Sequence, residues 1–186
     1  MNQASHLLSS VSSRAKKEIR SKGGIHSREK IYLKSSDANS SETASSFALR
    51  MFVSELFSGR RDITFVRKES DASLILGDKT LDDAAEELLT SVLEGTVSSY
   101  LTRQKTRTVH PFSGIFAEEI FAYAKFFGWH KETPETSDRI HDFLNEFSVT
   151  RPSAKFALKN VSDKLYEKAD IISAQIDTSR KIEERN

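Results

Sequence analysis

The chain of 186 residues contains no cysteine. That excludes disulfides, thiolate-held zinc, iron–sulfur clusters and a cysteine nucleophile supplied by this chain. No run approaches the roughly 20 apolar residues of a membrane span. The start, Met1-Asn2-Gln3-Ala4-Ser5-His6, lacks the basic segment and apolar stretch of a secretory signal. Charge of one sign is also missing: 28 Lys and Arg against 27 Asp and Glu leave +1, so bulk charge does not announce a nucleic-acid or membrane binder. The five histidines show no i,i+4 pair and no metal-site spacing with carboxylates. No Gly-x-Ser-x-Gly is present, so a hydrolase nucleophile has no support. With 37% hydrophobic residues the chain has enough apolar material for one ordinary soluble, intracellular domain.

The pattern that remains is one of strand–helix units. Residues 3–21 place Leu7, Leu8, Val11, Ala15 and Ile19 at helical spacing, and Gly23-Gly24 supplies a stop. Lys30–Lys34 reads as a short strand. Residues 35–46 carry six serines and no large apolar residue, as a linker or loop does. Helix resumes over 42–58 and ends at Gly59. Strands follow at Asp62–Val66 and Ser73–Gly77, the second apolar throughout, as expected of a strand buried on both faces. A helix over 81–94 is capped by Thr80, favoured by Asp82 and Asp83 in its first turn and ended by Gly95. Its expected buried stripe is Ala84, Ala85, Leu88, Val92 and Leu93. Residues 106–112 read as extended, and helices over 115–127, 137–148 and 152–168 complete the chain. Eight of the twelve phenylalanines lie between Phe112 and Phe156, which places the densest core there. The fold class is α/β, a partial or degenerate Rossmann-like sheet with a helical C-terminal third.

The richest stretch for chemistry is Leu74–Glu86, where a buried strand ends at Gly77 and turns into a helix with an acidic start. Ligands sit at the carboxyl ends of strands in such sheets. Gly77 would allow close approach, Lys79 would offset phosphate charge, and Asp78, Asp82 or Asp83 would hold magnesium or a ribose hydroxyl. The plainer reading is that acids at a helix N-terminus answer its macrodipole. Charge is uneven along the chain. Eight Lys and Arg in residues 1–34 face only Glu18 and Glu29, and eight acids in residues 69–94 face only Lys79. Arg103, Lys105 and Arg107 form a basic strip leading to His110. Such patches contact RNA phosphates or simply form a solvated face. Asp142 and Glu146, at i,i+4, read as a solvated face.

Gly77-Asp78-Lys79-Thr80-Leu81-Asp82-Asp83, then Thr108-Val109-His110-Pro111-Phe112, then Ile140–Glu146 with Arg151-Pro152-Ser153, occur in the order found in the tRNA-thiolating ATP pyrophosphatases. Over residues 44–167 the chain resembles that family. Its catalytic members place a Ser-Gly-Gly-x-Asp-Ser phosphate loop after the first buried strand. The nearest string here, Lys22-Gly23-Gly24-Ile25-His26-Ser27, reads as a helix stop. With Gly-Asp in the second motif and no cysteine, the chain is more similar to the family of cytoplasmic tRNA 2-thiolation protein 2, in a short or N-terminally reduced form. The resemblance implies a non-catalytic cytoplasmic subunit that binds tRNA and a catalytic thiolase. ATP and magnesium would act through that partner, with a ubiquitin-like sulfur carrier and no membrane. It implies a basic N-terminal segment and linker over 1–41, a degenerate ATP-pyrophosphatase domain over 42–168 and a flexible tail over 169–186. Gly77, Asp78, Asp82 and Asp83 would be remnants of a nucleotide site, and Arg103, Lys105, Arg107 and His110 tRNA contacts. Two alternatives stand beside it. One is an ATP-binding enzyme of the same fold using Gly77, Asp82 and Asp83; the other is a small helical interaction module.

Overall fold

The structure is a computed structural model and describes residues 3–35, 42–102, 107–131 and 139–183. Helix α1 (Gln3–Ser21) leads into strand β1 (Lys30–Lys34), helix α2 (Ala44–Leu56) and strand β2 (Thr64–Phe65). Strand β3 (Leu74–Gly77), helices α3 (Leu81–Leu93) and α4 (Val97–Thr102), and strand β4 (Thr108–Val109) follow. Helices α5 (Ala117–Phe126), α6 (Arg139–Thr150) and α7 (Ala154–Glu183) complete the chain. All strand pairs are parallel, in the order β2-β1-β3-β4. The expected α/β class with a helical C-terminal part is the observed one.

Local chemistry explains the element boundaries. The amide of Gly24 bonds the Ile19 carbonyl at 2.9 Å and that of Gly23 the Arg20 carbonyl at 3.2 Å. Both glycines have positive φ, so the pair closes α1 by a left-handed C-cap that side-chain-bearing residues resist. At the other end of the sheet Thr80 and Asp83 form a reciprocal capping box on α3. Helix α7 runs well past the expected end at 168, its backbone helical to Glu183. The strand placed in the middle of the sheet, β1, comes from the segment before residue 42, and α1 is packed into the core through Val11, Ala15 and Ile19, each at most 4% exposed.

Alternation along each strand separates two helical layers. Ile31, Leu74, Leu76 and Val109 join the core cluster with α1, α2 and α5, and Ile75, pointing the other way, is equally buried. Helices α3, α4, α6 and α7 pack on one another as the second layer. The expectation of the densest core between Phe112 and Phe156 holds only in its first half, where Phe112, Ile115, Ile120, Tyr123, Ala124 and Trp129 are buried. Phe52 and Phe112 meet edge to face at 5.8 Å in the interior, whereas Phe126, Phe143 and Phe147 are each about half exposed. The stripe of α3 is also rotated from the expected one. Leu81, Asp82, Ala85, Leu88 and Ser91 are buried, while Val92 and Leu93 face solvent. Hydrophobicity alone misplaced that face because a buried ion pair, described below, takes one of its positions.

Candidate functional site

The carboxyl ends of β1, β3 and β4 open onto a cleft of about 370 Å³ lined by Lys34, Ser35, Gly77, Asp78, Lys79 and His110 among others. A second, adjoining hollow of about 380 Å³ shares Lys79, Tyr100, His110 and Tyr166 and runs along β4 towards α1 and α7. Gly77, Asp78 and His110 thus meet at the strand ends, where an α/β sheet places its ligands. Tyr100, Tyr166 and Lys34 also line the cleft, and sequence reasoning missed them. The tyrosine rings stand 5.1 Å apart, and the Tyr100 and Ser162 hydroxyls share a hydrogen bond of 2.8 Å.

The side of Gly77 on which a side chain would stand is covered by its own chain. A Cβ there would overlap Cε1 and Nδ1 of His110, so the absent side chain makes room for the imidazole. The Nδ1 atom is buried against Gly77 without a well-formed hydrogen bond. Burial, then the Lys79 and Lys34 ammonium groups, pulls the His110 pKa down to about 3, so the ring is neutral at pH 7. Asp82 turns away from the cleft. One carboxylate oxygen accepts from Lys155 Nζ at 2.5 Å, and the other accepts from the Ala117 amide at the start of α5 at 2.7 Å. Lys155 also donates to the Asn145 side chain at 2.7 Å and is 4% exposed. Asp82 therefore joins α3, α5, α6 and α7. Asp83 is the capping-box acid, accepting from the Thr80 amide at 2.7 Å and the Thr80 hydroxyl at 2.8 Å. Of the four nucleotide-site candidates, two line the cleft and two have their carboxylates engaged in the scaffold.

The tRNA-contact candidates divide in the same way. Arg103 and Lys105 lie outside the described residues. Arg107 donates to Glu29 and to the Gly24 carbonyl, holding the turn after α1 against β4. The cations around the cleft have carboxylate partners: Lys34 with Glu69, Lys79 with Glu87, Lys22 with Asp163, and Lys159 with both Glu18 and Asp163. Asp142 and Glu146 are exposed, as a solvated face should be. Among the described residues no group of three or more His, Asp or Glu is arranged to hold a metal ion. Among them too, no helix is long and apolar enough to cross a membrane.

The Lys22–Ser27 string is the helix stop it was read as, and it lies before β1. The position that follows the first buried strand is instead residues 35–43, Ser-Ser-Asp-Ala-Asn-Ser-Ser-Glu-Thr, which contains no glycine.

No family model matches the sequence, and no curated protein matches it. Among solved structures the chain is similar to the U34-tRNA thiolase NcsA from Methanococcus maripaludis, determined with its [4Fe-4S] cluster. The TM-score is 0.69 over 88% of this chain and 80% of that one, at 11% identity. The two share a fold. At that identity the likeness carries the architecture and leaves activity to be argued from residues.

Proposed function

We propose that this chain is a non-catalytic subunit of a cytoplasmic system that thiolates the wobble uridine of tRNA. In that role it binds tRNA and pairs with a catalytic thiolase. The observation that carries the reading is a thiolase-like fold in which the sequence joining the first strand to the next helix, residues 35–43, has no glycine. A phosphate loop needs closely approachable backbone amides, which glycine provides and serine or alanine side chains obstruct. The engaged carboxylates of Asp82 and Asp83 and the ring of His110 over Gly77 support the same conclusion. Lacking cysteine, the chain cannot supply the thiolates that hold a cluster or carry sulfur. Adenylation of the uridine with ATP and magnesium then belongs to the partner, with sulfur delivered by a ubiquitin-like carrier. Since Arg107 and His110 are engaged within the fold, tRNA contact from that strip rests on Arg103 and Lys105.

The test is mass analysis of nucleosides from total tRNA of cells lacking the gene, with and without re-expression. The expected result is loss of 2-thiolated wobble uridine, restored by the intact chain. Unchanged thiolation in the deleted cells would reduce the likeness to shared architecture. Saturable ATP–magnesium binding by the purified chain would revive the enzyme reading.

A further inference from the structure

At the amino end of the sheet the charge balance differs from that of the cleft. Lys16 and Arg20 on α1 share a groove of about 250 Å³ with Arg60, from the turn after α2; Ile19, Ile25, Leu56 and Phe57 line the same groove. Arg28 joins them through the backbone, its amide bonding the Asp62 carbonyl at 2.8 Å, and Arg61 stands between Arg60 and Asp62. Lys16, Arg20, Arg28, Arg60 and Arg61 are all exposed. The carboxylates of the neighbouring elements turn elsewhere: Glu18 to Lys159 and Ser113, Glu29 to Arg107, and Glu55 to the Tyr123 hydroxyl. Asp62 remains, and it is paired with Arg60 at 2.6 Å. A macrodipole role accounts for Arg20 in the last turn of α1. It does not account for Arg28 and Arg61, which lie in loops.

Arg28 carries a second signal. Its φ of 65° is the positive value of a non-glycine residue, a conformation that costs an arginine about 1 kcal/mol and a glycine almost nothing. The position keeps a guanidinium where the backbone favours glycine. Beside the cluster, Phe65 on edge strand β2 is 48% exposed. Its ring meets Phe57 edge to face at 5.8 Å, and the Arg60 guanidinium lies over that same Phe57 ring.

We propose that this face, formed by Arg20, Arg28, Arg60 and Arg61 with Lys16 and Phe65, binds the phosphate backbone of RNA. It lies at the end of the sheet opposite the cleft. Guanidinium forks match phosphate oxygens, and an exposed aromatic ring gives an unpaired base a stacking surface. Ile19 and Phe57 in the groove are nearly covered, and Ile25 and Leu56 are half-buried, so the charge on the face comes from its rim. The inference rests on the tRNA-thiolation reading only for its choice of probe.

The experiment is anisotropy of an end-labelled, unmodified tRNA transcript titrated with the full chain across a salt series. The unfolding midpoint of each variant is followed alongside. Removal of three cations in Arg20→Gln/Arg28→Gly/Arg61→Gln should weaken binding about tenfold or more near 0.1 M salt. It should also lower the slope of log K against log salt by about 2, at roughly 0.7–0.9 per phosphate contact. The midpoint should stay level, since Arg28→Gly relaxes the backbone. Phe65→Ala should weaken a single-stranded probe more than a duplex. Unchanged affinity and slope in the triple variant would overturn the proposal, and loss confined to Arg103→Gln/Lys105→Gln would move RNA binding to that strip. Binding of poly-glutamate in preference to tRNA would overturn it in favour of an acidic protein. A wild-type chain that binds no tRNA would also overturn it, while the nucleoside measurement on deleted cells would still decide the pathway on its own.

Discussion

The two ends of the parallel sheet spend their charge differently. Around the cleft at the carboxyl end, cations and carboxylates are matched within the fold. At the amino end Glu29 is drawn inward to Arg107 and Asp62 is taken by Arg60, while Arg20, Arg28 and Arg61 face water. Internal pairing holds elements together but leaves little charge to offer a ligand. Unmatched surface charge contributes little to stability and remains available to a polyanion. The proposed RNA-binding face accordingly follows charge that has no internal partner rather than position at the strand ends.

The sharpest way to break this contrast is to treat Asp82 as a binding residue. Asp82→Ala should destabilise the chain by about 3–5 kcal/mol in urea unfolding, because Lys155 would be left charged and unpaired in the interior. Adding Lys155→Met should recover much of that loss. A stable Asp82→Ala protein would show that the pair is dispensable and reopen a ligand role. Next in size is Gly77→Ala, expected to cost about 1–3 kcal/mol through overpacking against His110. In a double-mutant cycle His110→Ala should absorb part of that penalty, since the two positions share one space. Additive effects would mean that the ring and Gly77 do not compete.

A pH titration sharpens the same point. His110 has a pKa below its unfolded value, so the unfolded chain takes up a proton first as pH falls. Stability from this residue is complete above about pH 6.5 and declines towards pH 3, by at most about 1.4 kcal/mol per pH unit. The difference between wild type and His110→Gln should be level above about pH 7.5 and shift against wild type on acidification; a difference that stays level throughout would place the imidazole in water. The smallest effect is expected from Thr80→Ala, about 1 kcal/mol for loss of the α3 cap, measured by thermal unfolding. If Asp82→Ala cost no more than this, both carboxylates would belong to capping alone.

Much of the architecture could be read from local signals. The glycine pair after Ile19, the apolar run ending at Gly77 and the acid-rich start of α3 each declare themselves within a few residues, and each is found in place. The cleft was legible to the same extent, since Gly77 and Asp78 stand at the strand end. What could not be read depends on distance along the chain. Lys155 lies 73 residues from Asp82, and nothing near either residue marks it as buried. The rotation of α3 followed from that pair, because a paired carboxylate can occupy a core position that a hydrophobic pattern reserves for an apolar side chain. The phenylalanine count misled for the opposite reason: helix α6 exposes Phe143 and Phe147, stacked on each other at 5.8 Å, and composition cannot tell a covered ring from an open one. That residues 35–43 follow a strand inside the sheet depends on the pairing of β1 with β2 and β3, which no local signal announces.

The brevity of the two outer strands has its own consequence. Strands β2 and β4 contribute two residues each, so among the described residues each border of the sheet offers a foreign strand only a minimal row of backbone donors and acceptors. Templated strand addition, the usual route from an exposed border to fibrils or domain-swapped oligomers, has little to grip. A contact with another protein would then fall to side chains on the helices and turns, where a substitution leaves the sheet undisturbed.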